Sequence, residues 1–250
     1  MTFKPMRIIF ILMLAVWVLT CNISAQHNMY TNKIEFGNQN WFVKKHRELM
    51  GPGNNLYGLH PHNVKVDSKG QLVLAIKKVK NGWSCAEIIS ESTITEGIYE
   101  FSIESDLSLL EPNMVLGLFV YNEANPPYYD EADIEFSRWN NPQFEDAQFV
   151  VHQGGELTPY RFSTPTGVKK SIHQIKITKD SVCFQSKWFN KNNSYPITYT
   201  HKIVRPQTMS LSATHIRINL WLMEPADRIK RYPKVKISRI AVYKNQELID

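Results

Sequence analysis

Asp130-Glu131-Ala132-Asp133-Ile134-Glu135-Phe136 places carboxylates at alternate positions, with Ala132, Ile134 and Phe136 between them. Successive side chains of a β-strand point to opposite faces. On a strand, Glu131, Asp133 and Glu135 share one face and the apolar residues share the other. On a helix the acids would spread over roughly 200° of arc and would not converge. The pattern therefore predicts a strand with one acidic face. Three like charges in a row destabilise a fold and push at least one carboxyl pKa upward. A raised-pKa acid beside an ionised carboxylate is the equipment for splitting a glycosidic bond. The Cα atoms of Glu131 and Glu135 would lie about 13 Å apart on a strand. Two glutamate arms leaning together can bring the carboxyls to the ~5–5.5 Å of a retaining pair. The competing reading is a solvated polar face whose acids pair with Lys or Arg.

The rest of the chain is also written in short alternating segments. Leu72, Leu74 and Ile76 share one parity after the turn Asp67-Ser68-Lys69-Gly70. Gly97–Glu104 alternates, Met114–Tyr121 is almost wholly apolar, and Ala147–Gln153 reads as the partner of the acid strand. Gly117 inside the apolar run permits the close approach of a packed neighbour. Ser171–Thr178 and Val182–Trp188 form a hairpin across Lys179-Asp180, and Lys234–Tyr243 makes a final strand without strict alternation. A sustained 3.6-residue period is missing. Lys44–Met50 and Glu224–Arg231 are the best short-helix candidates. Ten to fourteen short strands divided by turn signals imply an all-β sandwich or barrel.

The N-terminus reads as an export signal over residues 1–25. Lys4 and Arg7 precede an apolar run of twelve, Ile8 to Leu19, and Ile23-Ser24-Ala25 offers a cleavage site. That run is short for a membrane span. Cleavage before Cys21 would instead leave a lipid-anchored protein. Residues 26–250 then form one domain, exported to the periplasm or beyond, with no integral span after signal removal. The formal net charge of +6 falls further when the signal leaves, which argues against nucleic acid as a partner. Cys85 and Cys183 remain as buried thiols or as one disulfide, and neither has the spacing of a zinc ligand.

The acid strand, with Arg138 and Trp139 directly after it, resembles the Glu-x-Asp-x-Glu signature of glycoside hydrolase family 16 in its short form, that of licheninases and xyloglucan endotransglycosylases. Two further stretches carry the likeness. Trp83-Ser84-Cys85-Ala86-Glu87-Ile88-Ile89-Ser90 looks like the licheninase segment Cys-Gly-Glu-Tyr-Arg-Ser, and Arg217-Ile218-Asn219-Leu220-Trp221 looks like Met-Asn-Leu-Trp.

The resemblance implies a concanavalin-like jelly roll, a β-sandwich of two antiparallel sheets with few short helices. It implies Glu131 as nucleophile, Asp133 as its assistant and Glu135 as acid/base. Glu87 and Asn219 would bind sugar hydroxyls, and Trp83, Trp139 and Trp221 would offer stacking faces. Departures stand at Ile89, which replaces an arginine, and at Val150 and His152, which replace an asparagine and a tyrosine. His152, near the acids, is a candidate to contact substrate or tune Glu135.

The implied function is an exported, monomeric, retaining endo-β-glycanase acting on β-1,3/β-1,4 linkages of a β-glucan or related polysaccharide, with no metal and no organic cofactor. Two alternatives are a non-catalytic carbohydrate-binding sandwich and a hydrolase of a sulfated galactan. The second draws on the basic set Arg228, Lys230, Arg231, Lys234 and Lys236.

Overall fold

The structure is a computed structural model, and it describes residues 32–122, 131–153, 156–157, 159–190, 195–204, 211, 213–224, 229 and 234–244. The expected signal segment with Cys21, Asp130, the cations Arg228, Lys230 and Arg231, and all of the Glu224–Arg231 helix candidate but Glu224 and Ile229 lie outside them.

The described residues form strands β1 (Asn32–Phe36), β2 (Gln39–Val43), β3 (His46–Met50), β4 (Asn55–Tyr57), β5 (Val64–Val66), β6 (Leu72–Ala75), β7 (Lys77–Val79), β8 (Gly82–Thr93) and β9 (Gly97–Glu104). A 3-10 turn at Leu107–Leu109, capped by Asp106, precedes β10 (Met114–Asn122), β11 (Glu131–Phe136), β12 (Ala147–Gln153), β13 (Glu156–Leu157) and β14 (Tyr160–Phe162). The chain ends with β15 (Lys170–Ile177), β16 (Ser181–Trp188), β17 (Ile197–Val204), β18 (Thr214–Leu222) and β19 (Lys234–Tyr243).

Two sheets face each other. One runs β1-β2-β8-β18-β10-β11-β12-β13, with β3, β4, β7 and β14 joined at its margins. The other runs β17-β16-β15-β9-β19-β6-β5. Pairing is antiparallel except where β4 meets β8. This is the all-β jelly-roll sandwich expected.

A single apolar cluster fills the space between the sheets. Strand β11 shows how. Ala132, Ile134 and Phe136 are fully buried, and the Phe136 ring meets His173 at 4.9 Å and Trp188 at 6.3 Å on the second sheet. Phe149 of β12 stacks on Phe184 of β16 at 5.2 Å. Truncating such a ring to Ala costs about 3–5 kcal/mol. With the even positions of β11 claimed by the core, the odd positions must face outward.

One sequence expectation changes, one irregularity finds its cause and one open choice is decided. Lys44–Met50 is not helical: His46–Met50 is the strand β3, held by pairing with β4 and not by any pattern of its own. The broken alternation of β19 reflects a register shift between Ile237 and Arg239 against β9. Cys85 and Cys183 are both free thiols on different sheets, and burial pushes the Cys85 thiol up to about 12. No helix among the described residues is long and apolar enough to cross a membrane.

Candidate active site

The register of the first sheet builds the site as three cross-strand rows, because directly opposed residues in antiparallel strands share a face. Glu131 lies between Tyr121 and His152. Asp133 continues a row formed by Ile89, Arg217 and Phe119 and followed by Val150. Glu135 belongs to a row of Glu87, Asn219, Gly117, Gln148 and Arg161. All three acids open onto one cavity of ≈ 410 Å³, together with Glu87, Asn219 and Trp221.

Gly117 makes this opening possible. The Asn219 amide oxygen accepts the Gly117 backbone N–H at 3.1 Å. A Cβ at Gly117 would stand 2.6 Å from that oxygen. The absent side chain thus lets Asn219 lie flat against β10, opposite Glu135, as the expectation of a close approach required. The turn after β3 forms another wall through Met50, Gly51 and Pro52. It is pinned by Asn55, which donates to Pro52 O and Leu222 O, and by the Tyr57 hydroxyl, which donates to Pro52 O.

The acids sit in an electrostatically tense place. Burial, with the charges of Glu135 and Glu87, pushes Glu131 up to about 7. Asp133 is raised well above the ordinary carboxyl range by burial and by both glutamates. It shares a hydrogen bond with Glu131 that lowers the pKa of Glu131 and raises its own, as expected of a protonated Asp133 donating to an ionised Glu131. Glu135 is raised by burial, against two opposing influences: the Gln148 amide, 2.5 Å away, and the charge of Arg161. The Asp133 Oδ2 atom is buried without a hydrogen-bond partner.

Glu87 has a different setting. It is buried, not exposed on an edge strand, and its two oxygens receive Lys44 Nζ at 2.9 Å and Arg217 at 3.2 Å. Lys44 also donates to Gly51 O at 2.7 Å and covers the Tyr57 ring. Arg217 is the register partner of Ile89. The guanidinium missing at Ile89 therefore enters the same row from the neighbouring strand.

Of the nine nominated residues, Glu131, Asp133, Glu135, Glu87, Asn219 and Trp221 line the cavity. His152 stands at its side, with Nε2 3.6 Å from Asp133 Oδ2, and burial lowers its pKa. Trp83 does not line the cavity. Its ring packs in the core cluster, with Lys78 against it at 4.8 Å. Trp139 is also not among the lining residues. It sits in a left-handed turn with Asn140, and Arg161 covers its ring at 4.3 Å.

Lys44, Arg217, Gln148, Phe119 and Tyr121 were not anticipated. Arg217 was within reach, since it shares parity with Asn219 and Trp221 on one strand. Gln148 was within reach too, at the place of β12 that faces Glu135. Lys44 follows the end of β2 and carried no signal.

No protein-family model and no curated protein matches the sequence. Solved structures do. A Bacillus licheniformis β-glucanase superposes with a TM-score of 0.60 at 17% identity, over 87% of this chain and 96% of its own. A glycoside hydrolase family 16 endo-glucanase from Bacteroides ovatus gives 0.61 at 11% identity, over 81% and 94%. The chain has the fold of glycoside hydrolase family 16 β-glucanases. The same fold houses an immunostimulatory antigen and pseudo β-1,3-glucanase of Mycobacterium tuberculosis, with a TM-score of 0.64 at 16% identity over 82% and 91% of the two chains. At these identities the likeness speaks for the sandwich, and the site must be argued from its own residues.

Proposed function

We propose that the protein is an exported family 16 endo-β-glycanase that cleaves internal β-1,3 or β-1,4 linkages of a β-glucan or related polysaccharide with retention. One observation carries the reading: three carboxylates, Asp133 buried and Glu131 and Glu135 half-buried, stand side by side on the cavity face of β11, with Glu131 pushed up to about 7. Such an arrangement strains a fold and serves a reaction that needs one acid and one base within reach of the same bond.

Glu131, ionised beside the proton on Asp133, attacks the anomeric carbon and forms a glycosyl ester. Glu135 gives its proton to the leaving oxygen, then takes one from the incoming water, which breaks the ester. Asp133 keeps Glu131 and Glu135 from titrating as equals. Asn219 and Trp221 offer an amide and an indole face to the sugar. Similar solved structures support the substrate class, since they include a β-glucanase and a prokaryotic β-1,3-1,4-glucanase.

The second reading is a glycan-binding sandwich without catalysis. It is favoured by the loss of intended sugar contacts: Lys44 and Arg217 engage Glu87, and Trp83 belongs to the core. The pseudo-enzyme among similar structures fits this reading. Mixing the protein with mixed-linkage β-glucan, laminarin, xyloglucan, agarose and carrageenan separates the two. New reducing ends on a β-glucan, with the β-anomer appearing first in proton NMR, support the glycanase. Binding without new ends supports the second reading. Cleavage confined to carrageenan would shift the substrate to a sulfated galactan. Of the basic set behind that alternative, Lys236 already pairs with Asp67 at 3.2 Å.

A further inference from the structure

His152 is the register partner of Glu131, and it points the same way from β12 as the acids do from β11. Its Nε2 lies 3.6 Å from Asp133 Oδ2. One oxygen of Glu131, one of Asp133 and one nitrogen of His152 fall within 4.8 Å of one another. Donors around a tetrahedral ion with bonds of about 2.0–2.1 Å are about 3.3–3.4 Å apart. The His152–Asp133 edge is already near that length. Glu131, which is only partly buried, needs to close by at most about 1.4 Å.

A second observation points to a ligand. The Asp133 side chain is only 6% exposed and its Oδ2 has no hydrogen-bond partner. An unpaired buried carboxyl oxygen is costly, and a cation that displaces the Asp133 proton relieves it. The imidazole decides the kind of cation. Oxygen-only cages suit Mg²⁺ and Ca²⁺, whereas two carboxylates with one imidazole suit Zn²⁺ and its neighbours.

We propose that Glu131, Asp133 and His152 form a three-donor site for a borderline divalent cation of the Zn²⁺ type. The site draws on two carboxylates of the proposed glycanase. On that reading, a bound ion occupies the electron pair that Glu131 would use for attack, so zinc acts as a reversible inhibitor competing with glucan. Cation binding itself does not depend on catalysis.

The test is titration calorimetry of the chelator-treated full-length protein with zinc chloride, with cobalt(II) absorption in the visible as an independent reading. One saturable site is expected, weakened at least tenfold in Asp133→Asn and in His152→Gln, and recovered in His152→Cys, which restores a donor. His60 and His62, whose rings lie 5.4 Å apart, are the obvious competing site. The double variant His60→Gln, His62→Gln is expected to bind as the wild type does. No saturable binding, or binding that survives in both Asp133→Asn and His152→Gln, overturns the proposal. A protein that binds zinc at this site but releases no reducing ends keeps the site and loses the glycanase. One that cuts glucan without binding zinc does the reverse.

Discussion

Two buried polar groups lie nearly back to back across the sandwich, and they behave in opposite ways. On β15, His173 is fully buried, and both ring nitrogens meet serine hydroxyls, Ser186 and Ser171, at 2.8 Å. Burial lowers its pKa to about 3, so it stays neutral. Its ring is edge-on to Phe136. Next to Phe136, on the other face of β11, stand three carboxylates that cannot all be charged and one oxygen without a partner. Burial alone therefore does not mark a functional group. His173 is satisfied and serves the fold. The acids are left in tension, which a fold tolerates where chemistry uses it.

The sharpest way to break this contrast is to remove one of the acids. Glu135→Gln is expected to lose several orders of magnitude in turnover on β-glucan. It should keep far more activity on an aryl glucoside whose phenol leaves without a proton, because only acid assistance has been withdrawn. Comparable loss on both substrates would deny Glu135 the acid role.

Filling the gap at Gly117 comes next. Gly117→Ala forces a methyl against the Asn219 amide and should cost about 1–3 kcal/mol in denaturant unfolding. The glucan KM should rise as Asn219 is displaced. An unchanged KM would show that Asn219 does not bear on substrate.

Stability against pH sharpens the comparison, because the two groups act with opposite sign. His173 has a folded-state pKa below its unfolded value near 6.5, so its contribution is present above that value and lost as pH falls toward about 3. Glu131 has a folded-state pKa of about 7, above its unfolded value near 4.5, so its contribution is present at low pH and lost as pH rises through 7. The loss at Glu131 is at most about 3–4 kcal/mol, less what solvent at the cavity screens. Glu131→Gln should therefore be more stable than the wild type at pH 8 and similar to it at pH 4. His173→Gln should flatten the acid side of the curve and leave the alkaline side alone. A Glu131→Gln protein less stable than the wild type at pH 8 would mean that the acid is a structural group.

The smallest effect is expected at Gln148. Its amide favours the ionised form of Glu135, so Gln148→Leu should raise the pKa of Glu135. The alkaline limb of the kcat/KM profile would then move to higher pH, and no movement would remove Gln148 from the tuning of the acid.

Much of this contrast was legible in the residues. Alternation on β11 separated acids from core side chains, because a strand assigns faces by parity and nothing interrupts β11. The same rule failed on β8. Trp83 and Glu87 share parity, yet only Glu87 reaches the cavity. The first half of β8 pairs with β4 and β7, and the second half with β2 and β18, so parity does not carry across the change of partners. Trp139 was placed by adjacency to the acids, but the chain leaves the strand in a left-handed turn and Arg161 claims the ring. Lys44 was hidden for a third reason. It reaches the site through partners at Gly51 and Glu87, and a pairing over 43 residues of separation leaves no local trace.

The most direct test compares reducing ends released from mixed-linkage β-glucan by the wild type and by Glu131→Gln, with polysaccharide binding measured on the same samples. The wild type should cleave, and the variant should lose several orders of magnitude in rate while still binding. Equal rates in the two proteins, or a wild type that binds every glucan and cuts none, would contradict the account.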